Sequence, residues 1–325
     1  MNIILNYMII SKTPFRISFS GGGSDIKDFY SQEDGAVLST TINKYVFLSM
    51  HPLFNNNGFH LKYSENEFVG YVNRIKHPII REVFSKYSIF GVDFNSSSDV
   101  PSGTGLGSSS SFTTGLINLC NAYLRQFMSK EEMAKVACEI EIDKLKSPIG
   151  KQDQYACAIG GMNFIEFHKD ESVSVEKITL SQDKLTQLED SLMLFYLGGV
   201  RPASSILGEQ KKNTHNKIDF LRKMVGLSRA LRDDLKNDYI DNFGRILNEG
   251  WMYKRELCEG ITNATIDYWY NIAMDNGAQG GKVLGAGGGG FLLLCAPGAR
   301  EALRQMIKLY ELPFKFENSG TTIIY

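Results

Sequence analysis

A loop rich in glycine and serine, from Pro101 to Ser111, constrains the fold of this chain more than any other segment. It reads PSGTGLGSSSS, and apolar residues at helical spacing follow it directly from Phe112 to Phe127. Glycines let the backbone take positive φ and approach an anion closely. The helix start adds unpaired N–H groups and a partial positive charge. The segment therefore predicts a phosphate-binding loop, and the alternative is a flexible turn that binds nothing.

This loop differs from two common phosphate-binding motifs. No Lys-Ser or Lys-Thr pair follows its last glycine, so it is not a Walker A loop. Its glycines are spaced G-x-G-x-G and no clear strand leads into it, so it is a poor dinucleotide fingerprint.

A second glycine turn lies near the start of the chain, between Thr13 and Asp25. Ile17 and Phe19 alternate with polar residues, which predicts a strand that runs into the turn. Arg16 and Asp25 stand on either side of the turn. An arginine can clamp phosphate and an aspartate can accept hydrogen bonds from sugar hydroxyls. The alternative is a surface ion pair beside a tight turn.

A third glycine segment, Lys282 to Phe291, holds four consecutive glycines between two predicted strands. Four glycines are costly in chain entropy, and a simple hairpin needs only one or two. The extra glycines predict a close approach of this backbone to a ligand or to another loop.

The remaining pattern mixes strands and helices without a regular β-α-β alternation, which favours an α+β fold. Strands are predicted at Val37 to Ile42, Tyr45 to Met50, Phe164 to Phe167 and Leu192 to Leu197, and the first two are predicted to form a hairpin around Asn43-Lys44. Helices are predicted after the capping box of Ser129 and Glu132 and along the amphipathic run from Phe220 to Leu235. We place a domain boundary in the polar stretch before Leu192, with domains at 1–188 and 189–325.

Composition excludes several classes of function. The formal net charge of the 325 residues is −1, which gives no reason to expect nucleic acid or an anionic membrane as a partner. The five cysteines are scattered without a C-x-x-C pair, and the five histidines lack metal-ligand spacing, so a zinc or iron site is not expected. The short apolar start fits an edge strand better than a signal peptide, and no run is long enough for a membrane span. We expect a cytoplasmic protein.

The three glycine segments, in this order, resemble the three motifs of the GHMP kinases, a family that includes galactokinase, homoserine kinase and mevalonate kinase. The similarity extends from Thr13 to Phe291. Within the family the chain resembles most the bacterial D-glycero-D-manno-heptose 7-phosphate kinases, at Thr13–Asp25, Gly150–Tyr155 with Gly160–Asn163, and Arg201–Gln210. The resemblance implies an N-terminal mixed α/β domain, a C-terminal ferredoxin-like domain and an active site between them.

The resemblance also implies two catalytic residues. Asp153, in the sequence Gly150-Lys-Gln-Asp-Gln, matches the aspartate that takes the proton of the attacking hydroxyl, and Arg16 matches the cation that pairs with it. A carboxylate beside an arginine is a weak base, so we expect it to orient the hydroxyl and accept the proton late. Without the resemblance, Asp153 is better interpreted as an ordinary aspartate at a helix N-terminus.

Glu141 and Ser109 match the family's Mg²⁺ ligands, with Ser108 as an alternative to Ser109. Helix geometry supports the first of these independently, because it places Glu141 among small apolar residues such as Ala134 and Ala137. A carboxylate in such a setting needs a partner, and the Mg²⁺ of ATP is a suitable one. The alternative is a glutamate at the helix edge on the protein surface.

The resemblance assigns the remaining contacts as two groups. The nucleotide phosphates are expected at Pro101, Gly103, Thr104, Gly105, Leu106, Gly107, Ser108, Ser109 and Ser110. The sugar is expected at Gly22, Gly23, Ser24, Asp25, Gln152, Arg201, Gly288 and Gly289. Arg201 is the first candidate for binding a phosphate on the sugar, with Lys12 and Lys151 as others. The alternative for Arg201 is a solvent-facing arginine before a proline.

The expected activity is ATP-dependent phosphorylation of the anomeric C1 hydroxyl of a heptose 7-phosphate. The product would be the 1,7-bisphosphate used in nucleotide-heptose synthesis, with ATP and Mg²⁺ as cofactors. One alternative is a kinase of another sugar such as fucose or galactose. Another is a sugar sensor that has lost catalysis, although Asp153, Arg16 and Glu141 are all present. A homodimer is left open.

Overall fold

The structure is a computed structural model that describes residues 7–54, 57–199, 206–209 and 217–325. Its strands are β1 (Ile9–Ser20), β2 (Gly35–Pro52), β3 (Phe59–Lys62), β4 (Asn66–Val69), β5 (Val92–Ser98), β6 (Met162–Phe167), β7 (Val173–Lys177), β8 (Leu192–Gly198), β9 (Gly280–Val283), β10 (Gly290–Cys295), β11 (Tyr310–Glu311), β12 (Phe316–Glu317) and β13 (Thr322–Ile323). Its α-helices are α1 (Lys27–Tyr30), α2 (Pro78–Lys86), α3 (Ser108–Tyr123), α4 (Lys130–Cys138), α5 (Gln152–Ile159), α6 (Gln182–Ser191), α7 (Ile218–Lys236), α8 (Phe243–Arg255), α9 (Ala264–Asp275) and α10 (Arg300–Met306). A 3-10 turn covers Val72–Arg74, and a π-helical segment covers Glu139–Lys144.

The first sheet is organised around β2, an 18-residue strand. The strand order is β13-β1-β2-β5-β3-β4, and β6 and β12 also pair with β2. The predicted hairpin around Asn43-Lys44 is wrong, because both halves belong to this one strand. The register against β1 jumps from Tyr45 to Ile42, which leaves Asn43 and Lys44 as a bulge. The bulge is held by Lys315, whose carbonyl accepts from the Asn43 N–H and whose N–H donates to the Asn43 side chain.

The second sheet has the strand order β11-β8-β10-β9. Helices follow β8 and separate β10 from β11, so the chain runs β-α-β-β-α-β with the fourth strand beside the first. This is the ferredoxin-like arrangement, as predicted for the C-terminal half. Together with the mixed first half, it confirms the two-domain α+β fold.

The two halves share one buried core. Phe19 of β1 packs edge-to-face on Phe243 of α8 at 5.0 Å and on Phe316 of β12 at 6.1 Å between ring centroids. The strands β12 and β13 also return to the first sheet, where they pair with β2 and β1. The boundary at 188/189 falls within α6 and stays a prediction.

The helix predictions are largely confirmed. Ser129 and Glu132 form the capping box that opens α4, and α7 covers the predicted amphipathic run. The helix after the glycine-serine loop begins at Ser108 and ends at Tyr123, so the apolar pattern placed the end of this helix too late. Phe127 lies beyond the helix and is 95% exposed. Among the described residues, no helix is long and apolar enough to cross a membrane.

Candidate active site

A cavity of about 860 Å³ opens between the two halves of the molecule. The glycine-serine loop and the end of β1 form its walls on the N-terminal side. The third glycine segment and α8 contribute the C-terminal side. All three glycine segments singled out in the sequence thus meet at one cavity, although its lining residues Gly22 and Gly289 stand at opposite ends of the chain.

The glycine-serine loop is shaped by three glycines in the left-handed region. Gly103, Gly105 and Gly107 have φ of 77°, 86° and 76°. Gly107 is the N-cap residue of the 16-residue helix α3 and has no side chain to occupy the first N–H groups. The loop therefore presents a helix N-terminus to the cavity, which is the arrangement that binds a phosphate.

The third glycine segment packs directly on this loop. A Cβ added to Gly105 would lie 2.7 Å from the Leu284 carbonyl oxygen, and one added to Gly290 would lie 2.3 Å from the Thr104 carbonyl oxygen. Of the two reasons predicted for the extra glycines, approach to another loop is confirmed. Gly289 also lines the cavity. Gly288 is bound instead to the backbone of Ile261, to which its N–H donates at 2.8 Å.

The residues of the glycine-serine loop form two groups. Pro101, Gly103, Gly105, Gly107, Ser108, Ser109 and Ser110 line the cavity. Thr104 and Leu106 are buried and point elsewhere. The Thr104 hydroxyl donates to the Pro101 carbonyl, and the Leu106 carbonyl accepts from the Arg16 N–H. Their contribution is to hold the loop.

Arg16 and Asp153 form a bidentate ion pair on the cavity wall. Arg16 Nε donates to Asp153 Oδ1 at 2.6 Å, and Nη2 donates to Oδ2 at 2.6 Å. The third nitrogen, Nη1, donates to the Gly105 carbonyl at 2.6 Å, so the same guanidinium holds the phosphate loop. The Arg16 side chain is 4% exposed and that of Asp153 is 22% exposed, which leaves the carboxylate open to the cavity.

Three elements bring this pair together. Arg16 lies on β1, Asp153 lies in the first turn of α5, and Gly107 at the start of α3 lies against both. A Cβ at Gly107 would lie 3.1 Å from Arg16 and 3.4 Å from Asp153. Burial alone would lower the pKa of Arg16, but the Asp153 carboxylate outweighs burial and raises that pKa above its ordinary value, so the guanidinium stays charged. The predicted catalytic pair is therefore in contact with the predicted phosphate loop.

Glu141 is buried behind the phosphate loop, with 1% exposure. Its carboxylate accepts from Ser109 Oγ at 2.5 Å, from Ser110 Oγ at 2.8 Å and from Gln154 Nε2 at 2.8 Å. Burial raises its pKa, and these three donors act against that rise. The predicted burial is confirmed, although the segment is π-helical. Glu141 does not line the cavity itself, because the hydroxyls of Ser109 and Ser110 stand in front of it.

The glycine turn after β1 surrounds Asp25. Its carboxylate accepts from the Gly23 N–H at 2.9 Å and from the N–H and side-chain amide of Gln152 at 3.2 and 3.3 Å. Burial raises the pKa of Asp25. Gly22 and Gly23 line the cavity beside it, whereas the Ser24 hydroxyl is bonded to the backbone of Gly21 and Ala36. Arg201 lies outside the described residues.

Ser18 is a cavity residue that the sequence analysis missed. Its hydroxyl is buried near Gly22 and has no hydrogen-bond partner among the described residues, and the same holds for the Gln152 carbonyl oxygen. Buried polar atoms without partners are rare, and here both face a polar end of the cavity. Ser18 falls on the cavity side of the predicted strand, so its strand position was the available signal.

Two lysines, Lys254 and Lys282, also line the cavity and were not predicted. Lys254 falls on the apolar face of α8 together with Leu247, Gly250 and Trp251. A lysine at that spacing is a recognisable signal, because a buried lysine needs a partner. Lys282 directly precedes the third glycine segment.

The other end of the cavity is apolar and aromatic. Val46, Tyr63, His77, Ile79 and Phe112 line it, and the rings of His77 and Phe112 lie 5.1 Å apart. Burial lowers the pKa of His77, so this imidazole is neutral at pH 7. The cavity is thus divided into an end lined by aromatic side chains, a phosphate loop and a polar end around Asp25.

Comparison with known proteins agrees with this arrangement. Residues 71–161 match the family model described as the GHMP kinases N terminal domain, and residues 231–311 match the GHMP kinases C terminal model. A D-glycero-alpha-D-manno-heptose 7-phosphate kinase from Campylobacter jejuni is 31% identical over 301 residues, which are 87% of this chain and 88% of the relative. A galactokinase from Thermococcus kodakarensis is 27% identical over 93% of this chain and 94% of its own.

Solved structures give the same fold. A D-glycero-D-manno-heptose 1-phosphate kinase from Bacteroides thetaiotaomicron superposes with a TM-score of 0.81 at 23% identity, over 98% of this chain and 99% of that one. Sequence, fold and site geometry together show that the chain belongs to the GHMP kinase family and is an ATP-dependent phosphotransferase.

Proposed function

We propose that this sugar kinase phosphorylates the anomeric C1 hydroxyl of D-glycero-D-manno-heptose 7-phosphate, giving the 1,7-bisphosphate for nucleotide-heptose synthesis. The observation that carries the proposal is Asp153, held by Arg16 on the cavity wall in contact with the phosphate loop. The choice of heptose rests on the 31% identity to a heptose 7-phosphate kinase. A cytoplasmic location and a homodimer stay predictions.

The three parts of the cavity suit the three parts of the reactants. The adenine of ATP fits the apolar end around Tyr63, His77 and Phe112, where the rings offer stacking surfaces. The triphosphate follows the loop at the start of α3. The sugar lies at the polar end, where Asp25, Ser18 and Gln152 offer acceptors and donors to its hydroxyls.

Ser109 and Glu141 fit a magnesium ion. Both supply oxygen, which Mg²⁺ prefers, and Mg²⁺ commonly takes only one or two protein carboxylates and completes its shell with phosphate and water. Ser109 Oγ lines the cavity and Glu141 Oε1 lies 2.5 Å behind it, so these two oxygens would hold the ion. When bound with ATP, Mg²⁺ neutralises charge on the phosphates.

Phosphoryl transfer then depends mainly on positioning. Asp153 orients the acceptor hydroxyl, whose oxygen forms a new bond to the γ-phosphorus while the bond from that phosphorus to the β–γ bridging oxygen breaks. ADP leaves with the bridging oxygen, and the hydroxyl proton passes to the Asp153 carboxylate. Because Arg16 stabilises the ionised carboxylate, that proton moves late.

A coupled assay of ADP release across a sugar panel tests the proposal. The panel holds heptose 7-phosphate, the unphosphorylated heptose, fucose and galactose, each with saturating ATP and Mg²⁺. We expect kcat/KM to be highest for heptose 7-phosphate. Asp153→Asn should lower kcat by about 10²–10⁴-fold, the usual contribution of a positioned base. Asp183→Asn, at an exposed aspartate on α6, is the matched control.

Full activity on fucose or galactose, with none on heptose 7-phosphate, would reject the heptose assignment and leave a kinase of a free sugar. The galactokinase similarity over 93% of the chain is the observation that favours this second candidate. Binding of ATP and sugar without turnover of any member of the panel would instead indicate a sugar sensor.

A further inference from the structure

Lys254 and Lys282 are buried in the cavity wall and have no role in the chemistry derived above. They are 5% and 4% exposed, and both line the cavity. Lys254 Nζ donates to the carbonyls of Val283 and Gly285, and Lys282 Nζ donates to the carbonyl of Phe19. An ammonium group has three N–H donors, so with respect to the described residues Lys254 retains one and Lys282 retains two.

Neither ammonium group has an anionic partner within the described part of the chain. No carboxylate there forms an ion pair with Lys254 or Lys282. The titratable groups that face Lys254 are Arg16, the Cys258 thiol, Asp25 and Lys282. Burial, with Lys254 and Arg16 as the next contributions, lowers the pKa of Lys282 well below its ordinary value. Since Arg16 is already paired with Asp153, the two lysines face one carboxylate, and that carboxylate is bonded to the turn around Gly23. A buried charge without a partner is costly, so this end of the cavity favours an anionic ligand.

The positions of the two lysines indicate which ligand they serve. Phe19, to which Lys282 is bonded, directly precedes the glycine turn that holds Asp25 at the sugar end. Lys254 is bonded to Gly285, in the segment that packs on the phosphate loop. The pair therefore lies between the sugar turn and the third glycine segment.

We propose that Lys254 and Lys282 form the subsite that binds the phosphate group carried by the acceptor sugar. This inference rests on the proposed function, in which the acceptor is a sugar phosphate. Of the cations first suggested by the sequence, Arg201 lies outside the described residues and stays a prediction. Lys12 lies over the ring of Tyr45 at 4.5 Å, Lys151 lies over the ring of Tyr30 at 4.7 Å, and neither lines the cavity.

The test compares Lys254→Met and Lys282→Met with Lys236→Met, an exposed lysine of α7 paired with Glu176. Methionine keeps the length and apolar part of the side chain while removing the charge. We expect KM for the phosphorylated sugar to rise about 10- to 100-fold in the two cavity variants, the usual effect of losing a hydrogen bond to a charged group. KM for ATP should change much less, and Lys236→Met should match the unmodified protein.

An equal rise in KM for ATP would overturn the proposal, because the lysines would then serve the nucleotide. An unchanged KM for the phosphorylated sugar would overturn it as well.

A binding measurement separates this inference from the proposed function. Inorganic phosphate is titrated into the protein by calorimetry with the nucleotide site saturated by a non-hydrolysable ATP analogue and Mg²⁺. Phosphate binding that is lost in Lys254→Met supports the subsite even if heptose 7-phosphate proves not to be a substrate. Equal binding to both proteins, or none to the unmodified one, would contradict it.

If a lysine variant fails to fold, the proposal can still be tested on the unmodified protein through the pH dependence of its phosphate affinity. If the ammonium of Lys254 holds the phosphate, phosphate affinity should fall as the pH rises and Lys254 loses its proton. A phosphate affinity that stays constant as the pH rises from about 8 to 9.5 would count against the subsite.

Discussion

At the scale of single residues, the site is a set of buried charges that are each held by several neighbours. Arg16 uses three nitrogens to join the Asp153 carboxylate to the Gly105 carbonyl. Glu141 accepts from two serines and a glutamine. Such groups are positioned before substrate arrives, so little reorganisation is needed during transfer. The sequence could suggest Arg16, Asp153 and Glu141 because of their motifs, but it could not show that one arginine contacts both the aspartate and the loop.

Glu141→Gln tests the magnesium role. The amide removes the negative charge while keeping the size, and its NH₂ group faces the donors of Ser109, Ser110 or Gln154. We expect the Mg²⁺ concentration needed for half-maximal activity to rise at least about tenfold, since Mg²⁺ binds carboxylate oxygen far better than amide oxygen. A Mg²⁺ titration at saturating ATP measures it. Glu139→Gln, on the exposed lysine-paired side of the same segment, is the control.

A Glu141→Gln protein with an unchanged Mg²⁺ requirement but reduced thermal stability would show that the carboxylate is only a structural acceptor for the two serines.

The pH dependence of substrate binding follows from Lys254. Burial, with Arg16 as the next contribution, lowers its pKa to about 8. Below that pH the ammonium is charged and can bind a phosphate, and as the pH rises through 8 the charge is lost. We therefore expect KM for the phosphorylated sugar to be constant from about pH 7 to pH 7.5 and to rise up to about tenfold per pH unit above 8.

Initial rates between pH 7 and 9.5 measure this effect, and the unphosphorylated heptose serves as the comparison. Its KM should lack the rise above pH 8. In Lys254→Met the rise in KM above pH 8 should disappear for the phosphorylated sugar, and a profile unchanged by that substitution would assign the titration to another group.

At the scale of elements, two glycine segments are built against each other. The positive φ of Gly105 and Gly290 and the carbonyls facing them leave no room for a side chain. The sequence indicated that the glycines were needed for a close approach, but the contact partner depends on tertiary structure. The same limit explains the wrong hairpin. Asn43-Lys44 looks like a turn, but Lys315, about 270 residues later, stabilises it as a bulge.

Gly290→Ala tests this contact. A Cβ there would lie 2.3 Å from the Thr104 carbonyl oxygen at a φ of +85°, so the two segments must move apart. We expect a loss of about 1–3 kcal/mol of unfolding free energy and weaker ATP binding, because the displaced segment carries the phosphate loop with it. Urea unfolding and ATP titration measure the two effects.

Gly226→Ala is the matched control, since a Cβ at this glycine of α7 has nothing within 4 Å. It should leave ATP binding unchanged and be neutral or slightly stabilising, because alanine is the better helix former. Normal ATP affinity in Gly290→Ala would mean that the third glycine segment does not support the phosphate loop.

At the scale of the whole molecule, the two halves that form the cavity are joined through one core. The α+β class and the ferredoxin-like second half could be predicted from the motifs and the resemblance. The return of β12 and β13 to the first sheet could not, because two-residue strands leave almost no pattern in a sequence. That return places Phe316 against Phe19, which also contacts Phe243 of the second half.

Phe19→Ala should therefore destabilise both halves together. Phe19 is 1% exposed, and replacing a buried phenylalanine by alanine costs about 3–5 kcal/mol. We expect a single cooperative transition at lower urea concentration, with the same midpoint for far-UV circular dichroism and for tryptophan fluorescence, which reports Trp251 on α8 and Trp269 on α9. Phe127→Ala, at a phenylalanine that is 95% exposed, should shift the midpoint very little. If the two probes separate in Phe19→Ala, the halves unfold independently, and the cavity between them depends on docking of two domains rather than on a shared core.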